Sequence, residues 1–423
     1  MLNIEWVRYG IFPTLFIQRS AALARALRLA CLTFVFSCAW GNVAIEAWAQ
    51  RASPRTSWDD EKQPNGTPGL ARRSPEKLET ADQPEEKIAA DLQSLYDRSQ
   101  KANSVIEFNS VIESCRTIMG DSTRLLPERA YAKKLLSWAA NRRGELRSDM
   151  AGEMVQSHQV EEAEKLDQSA LDDFALAIEN DPTRWRAHHN LGVARALAGL
   201  PDEAIQSFST TIELNPKFVD AYHNRGEMRY RKQDFNSAID DYSQAIKLDP
   251  KDSGLYSARG TAQFSKGEIE AALADYQAAM TLDPESSSAA TLFADTCQSL
   301  GRWKEAAEAY QKGLKLDSNN VRCLQNAAWM MATCPEEFYR DPPTALKTVE
   351  KAVQKAEGGP GPNLLHVLGV IQAANGEFTA AIATLNDALQ LTSDVSLRRE
   401  IADHRKLFEK KKPYLQSSIT DKP

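Results

Sequence analysis

The sequence predicts an all-α solenoid of antiparallel helix pairs, and three observations lead there. Residues 185–286 repeat in steps of 34: Gly192, Gly226 and Gly260 fall in register, then Ala204, Ala238 and Ala272, then Phe208, Tyr242 and Tyr276, then Pro216, Pro250 and Pro284. A fixed period of about 20–50 residues marks supersecondary units that bury their apolar faces only against one another. Apolar side chains elsewhere recur at spacings of three and four, the period of a helix with one buried face. The small residues recur where two helices would cross most closely, and each proline falls where the second helix must stop.

The chain in order gives the following organisation. Arg8, Arg19, Arg25 and Arg28 precede an uncharged stretch, residues 29–45, and Ala47-Trp48-Ala49 has the small-x-small form of a cleavage site. Residues 1–49 therefore read as an export signal, or, left uncleaved, as an N-terminal membrane anchor through residues 29–45. This pattern places the protein outside the cytoplasm, in a bacterial periplasm or cell envelope. Residues 50–84, with Pro54, Pro64, Pro68, Pro75 and Pro84 and almost nothing apolar to bury, read as a disordered Pro-rich linker.

Residues 85–184 read as degenerate leading helices. Gly144 to Ala170 spans 26 residues where Gly226 to Ala238 spans 12, so this unit carries an insertion of 14, expected as lengthened helices. Residues 185–320 hold four regular units, and residues 321–395 two more. The first of those two is lengthened around Pro335 to Pro343, where the prolines forbid a continuous helix. Residues 396–412 form a capping helix, with Leu397, Ile401, His404 and Phe408 on its inner face and Arg398, Arg399, Glu400, Asp403 and Arg405 opposite; residues 413–423 are a tail. A solenoid needs such a polar-backed end.

Composition excludes several functions. The formal charge is −7, and residues 1–49 contribute four arginines against Glu5 and Glu46, so the rest carries −9. That surface repels a phosphate backbone, and nucleic acid is not an expected partner. No nucleotide-binding loop, zinc-protease helix or serine-hydrolase elbow occurs, and repeats, linker and cap use the whole length, so neither catalysis nor a cofactor is expected. Of six cysteines, Cys115, Cys297, Cys323 and Cys334 remain after the signal; with no C-x-x-C they are expected as buried free thiols. His189, His223 and His366 share one repeat position, but neighbours one helix-packing distance apart, about 10 Å, cannot chelate one ion. No metal is expected.

The 34-residue pattern, with Trp185, Leu191-Gly192, Ala204, Phe208 and Pro216 at their offsets, resembles the tetratricopeptide repeat family. The resemblance implies a right-handed superhelical solenoid whose concave groove binds a partner protein or peptide through the first helix of each pair. Carried onto this chain, the groove positions include Arg186, His189, His223, Glu227, Tyr230, Arg231, Phe264, Asp295, Arg322, Gln325 and Trp329, with Tyr230, Phe264 and Trp329 as apolar anchors. Trp329 could instead pack on the inserted loop. Asn190, Asn224 and Asn326 match the asparagine of the family's carboxylate clamp, but its lysines are missing. The expected function is a non-catalytic interaction scaffold. A factor handling envelope polysaccharide or peptidoglycan is the alternative, and self-association through the groove is a third route.

Overall fold

The computed structural model describes residues 89–416, which form seventeen α-helices, one 3-10 turn and no strand among the described residues. The expected signal or anchor, the linker and the end of the tail lie outside them. The described chain divides into two compact units, 89–248 and 249–416. No described helix is long and apolar enough to cross a membrane.

The first unit contains α1 (Ala90–Lys101), α2 (Val105–Gly120), α3 (Leu126–Gln156), α4 (Val160–Asn180), α5 (Trp185–Leu197), α6 (Pro201–Leu214), α7 (Val219–Arg231) and α8 (Phe235–Leu248). The 14-residue insertion lengthens α3 and α4, which are 31 and 21 residues long and meet at a bend where His158 takes φ 58°. Pro127 sits in the first turn of α3, where its missing N–H is no loss. The leading helices depart from a regular repeat: α2 packs along α3 far more extensively than against α1.

The second unit contains α9 (Ser253–Lys266), α10 (Ile269–Leu282), α11 (Ser287–Ser299), α12 (Trp303–Leu316), α13 (Val321–Thr333), α14 (Pro342–Lys355), α15 (Pro362–Ala374), α16 (Phe378–Leu391) and α17 (Val395–Glu409). The Pro335–Pro343 insertion forms a 3-10 turn at Glu337–Tyr339, tied back where the Asp341 N–H donates to the Met331 carbonyl at 2.7 Å. Pro342 and Pro343 do not interrupt a helix but open α14. Gly358 and Gly359 make the next turn with φ of 74° and 91°, a region L side chains avoid.

The repeat chemistry is visible in both units. Helices α5, α7, α9, α11 and α13 begin at residues 185, 219, 253, 287 and 321, each 34 after the last. Helices α6, α8 and α10 end at Leu214, Leu248 and Leu282, two residues before Pro216, Pro250 and Pro284. Four of the repeat glycines face an aromatic ring of the paired helix, and Gly369 faces Leu385. A methyl group on Gly144, Gly192, Gly226 or Gly260 would come within 2.6, 2.7, 3.0 and 2.9 Å of Phe174, Phe208, Tyr242 and Tyr276. Those distances are well inside van der Waals contact, so the glycines make room for a ring rather than for a neighbouring backbone. Ala204, Ala238 and Ala272 are fully buried at the same crossings.

A second, polar ladder braces the pairs. At three of these four crossings the residue before the glycine is arginine and the residue before the aromatic is aspartate: Arg143 pairs with Asp173, Arg225 with Asp241 at 2.7 Å, and Arg259 with Asp275 at 2.7 Å, whereas Leu191 and Ser207 stand at the fourth. Arg147 and Arg229, one helical turn further on, join Asp173 and Asp241, each at 2.7 Å. The aspartates are buried, so each buried charge has a partner, as the cost of desolvation demands.

Candidate partner-binding face

Within each unit the first helices of successive pairs lie side by side, as α5 does with α7 and α11 with α13. These helices carry the expected groove positions, and the structure divides them into residues engaged inside the protein and residues at its surface.

In the first unit, His223 and Glu227 are buried. The Tyr242 hydroxyl donates to Glu227 at 3.2 Å, and Arg231 Nε donates to the same carboxylate at 3.0 Å. The His223 ring packs 5.8 Å from that of Tyr242. Tyr230 is half-buried beside Phe235, Arg231 is exposed, and Arg186 lies over the Trp185 ring at 4.3 Å. Burial keeps the Tyr242 phenol protonated, with the nearby Glu227 charge adding to the effect.

His189 packs between the Phe208 and Phe218 rings, 5.6 and 4.9 Å away, and shares a 3.1 Å hydrogen bond with the Asn224 amide. Desolvation lowers its pKa from 6.5 to about 4, against a smaller opposing effect of Asn190. The unfolded chain therefore takes up this proton first, so the neutral ring's contribution is complete above pH 6.5 and is lost as pH falls toward 4. The stability advantage of the parent over His189→Gln is expected to shrink between pH 7 and pH 5 in urea titrations. A constant difference would refute the assignment.

In the second unit, Asp295 is the hub. It accepts from the Tyr310 hydroxyl at 2.7 Å, Arg322 at 2.7 Å and the Asn326 amide at 2.8 Å. Burial opposes the charge on Arg322, but the Asp295 carboxylate outweighs it and raises the guanidinium pKa. Phe264 is partly buried against the neighbouring core, and Gln325 is partly exposed. Trp329 is partly buried, its ring 5.9, 6.3 and 5.7 Å from those of His366, His404 and Tyr414.

A rule that the sequence pattern did not reveal connects these observations. In three successive repeats the residue after the glycine position accepts the hydroxyl of the paired tyrosine: Tyr242 bonds Glu227, Tyr276 bonds Thr261, and Tyr310 bonds Asp295. Where that residue is Val193, the aromatic is Phe208, with no hydroxyl to satisfy. The clamp-position asparagines are also engaged internally, Asn190 with Glu145, Asn224 with His189 and Asn326 with Asp295. This accounts physically for a clamp that keeps its asparagines and lacks its lysines: these amides serve the repeat-to-repeat contact.

Three further residues meet at the cap. His366 Nε2 and His404 Nδ1 are 2.8 Å apart, and Glu400, expected on the solvent face of α17, brings its carboxyl inward to them. Glu400 and His404 are one helical turn apart, which the sequence shows, but their meeting with His366 depends on how α17 docks. A separate open basin among α2, α3 and α4 is lined by Arg116, Arg143, Arg147, Asp172, Asp173 and Glu179, and two of its arginines are already paired with Asp173. Cys115, Cys297, Cys323 and Cys334 are buried and free, as expected, and burial raises Cys115 to about 12 and Cys297 and Cys323 to about 11.

Comparison with known proteins matches two family models, a TPR repeat over residues 226–267 and a tetratricopeptide repeat over residues 257–321. No curated protein matches the chain. Among solved structures, a tetratricopeptide repeat protein from Parabacteroides merdae is 18% identical over 63% of this chain and 98% of its own, with a TM-score of 0.48. MamA is 21% identical over 39% and 96%, with a TM-score of 0.36. YrrB, described as a TPR protein with an unusual peptide-binding site, is 18% identical over 47% and 99%, with a TM-score of 0.35. With the 34-residue step, the helix pairs built on it and the two repeat models matched across residues 226–321, the chain carries tetratricopeptide repeats.

Proposed function

We propose that this protein is an exported, non-catalytic scaffold of the bacterial periplasm or cell envelope that holds a partner protein or peptide along the first helices of its repeats. The observation that carries the reading is the division of those helices. Glu227, Asp295 and the asparagines are buried or engaged within the repeats; Arg231, although paired with Glu227, is exposed, and Arg186, Tyr230, Phe264 and Gln325 keep part of their surface open. Arginine and aromatic side chains supply most of the energy at protein interfaces. Export rests on the basic, apolar and small-x-small succession of residues 1–49, and the negative surface favours protein over nucleic acid.

Residues 50–423 used as bait in native envelope extract are expected to recover a partner that Tyr230→Ala/Arg231→Ala and Phe264→Ala lose while keeping full helicity. Equal recovery by all three would remove the site from this face. The inserted turn would then be the place to look, since Phe338 is 90% exposed there. Fractionation of cells carrying the full chain tests export separately, and recovery in the cytosol alone would end that part of the proposal.

A further inference from the structure

We propose that His366, Glu400 and His404 form a binding site for a divalent first-row transition ion, zinc by its donor set, that fastens the capping helix to the last repeat. His366 comes from α15, and Glu400 and His404 from successive turns of α17. One donor atom from each lies within 4.8 Å of the other two, and the two facing imidazole nitrogens are 2.8 Å apart. Tetrahedral donors bound to one ion at about 2.0–2.1 Å stand about 3.3 Å from each other, so the imidazoles need to part by only about half an ångström from their present hydrogen-bonded spacing to become adjacent ligands. Two imidazoles and a carboxylate are a familiar donor set for zinc, with a further position left for water or another donor.

The surroundings favour an ion over a plain polar contact. Both histidines are buried, and Glu400 Oε2 is closed off from solvent without accepting a hydrogen bond. Three titratable groups therefore converge in a core otherwise made by Ile401, Phe408, Val370 and Leu385. Buried polar groups of this kind are paired or coordinate a metal, because desolvation is otherwise uncompensated. Burial lowers His366 to about 3 and His404 to about 4, so both rings are neutral, and burial raises Glu400 to about 8. One of the two facing nitrogens donates to the other, so an ion entering here replaces that hydrogen bond by a change of tautomer and displaces the Glu400 proton.

The tail closes over the cluster. Tyr414 places its ring 4.3 Å from that of His404, and the Gln416 N–H donates to the Thr333 carbonyl at 2.8 Å. Trp329 forms another wall. An ion held here would link α15 to α17 directly, at the end of an array where the terminal unit has a neighbour on one side only.

The test uses the full chain, stripped with chelator, in a Cys31→Ser/Cys38→Ser background that keeps those thiols out of the titration. Zinc is titrated against a chromophoric chelator, and cobalt is used as a spectroscopic substitute. One zinc per chain is expected, with a cobalt spectrum free of thiolate charge transfer and a melting temperature raised by zinc. Glu400→Gln, which preserves shape, and His404→Gln are each expected to weaken zinc binding at least tenfold and to abolish the zinc-dependent rise in melting temperature. Circular dichroism confirms that each variant is folded. If His404→Gln fails that check, Glu400→Gln alone decides. Absence of zinc binding by the parent, or equal affinity in a folded variant, would overturn the proposal.

Discussion

Phe208→Ala is expected to destabilise the protein by about 3–5 kcal/mol, the usual cost of deleting a fully buried ring. Phe208 has no exposed surface and fills the gap left by Gly192, with His189 packed on its other side at 5.6 Å. Gly192→Ala is expected to be harmful on its own, by about 1–3 kcal/mol, because the new methyl would stand 2.7 Å from a ring carbon that the core holds in place. The two changes should not add. In Phe208→Ala the ring is gone, so the methyl enters the cavity rather than a clash, and the double variant should be no less stable than Phe208→Ala. Denaturant unfolding of the four proteins measures the coupling. Additive losses would mean that the glycine and the ring do not share one space, and the packing account of the repeat would fail.

The same contact explains what was legible in the sequence. The period, the helix pairs and the buried glycine, alanine and aromatic positions could be read because one steric constraint is imposed at each repeat and leaves the same residue types 34 apart. The Arg225 to Asp241 and Arg259 to Asp275 spacings of 16 were also present, but the long α3 and α4 push Arg143 and Asp173 30 apart and break the series. The bend at His158 has no glycine or proline to announce it. The partner face was the least legible part. Whether Glu227 or Asp295 is available to a ligand depends on a tyrosine 15 residues later on the paired helix. Trp329 illustrates the limit: its position in the repeat suggests an open groove, and a non-repeating element, the tail carrying Tyr414, lays a ring against it. Periodicity reports contacts that recur, and such closures happen once.

Replacing both Arg225 and Arg229 by methionine is expected to cost about 3–5 kcal/mol, the penalty for leaving a buried charge without its partner. Asp241 is 2% exposed and lies between them, with Arg225 Nε and its terminal nitrogen at 3.0 and 2.7 Å and Arg229 at 2.7 Å. Arg225 also donates to Ser209 of α6 at 3.1 Å, so its loss loosens the contact between successive pairs as well as the charge balance within one. Most of the cost should lie in the stranded carboxylate rather than in the lost attraction, because ion pairs in low dielectric recover little more than their desolvation. Adding Asp241→Ala to the double variant should therefore restore much of the stability. Equal instability of the double and triple variants in denaturant titrations would show that the arginines act through their aliphatic packing instead. The single-arginine pair in the next repeat gives an internal control. Arg259→Met leaves Asp275 with no second guanidinium among its described ion pairs, so this one change should approach the effect that takes two around Asp241.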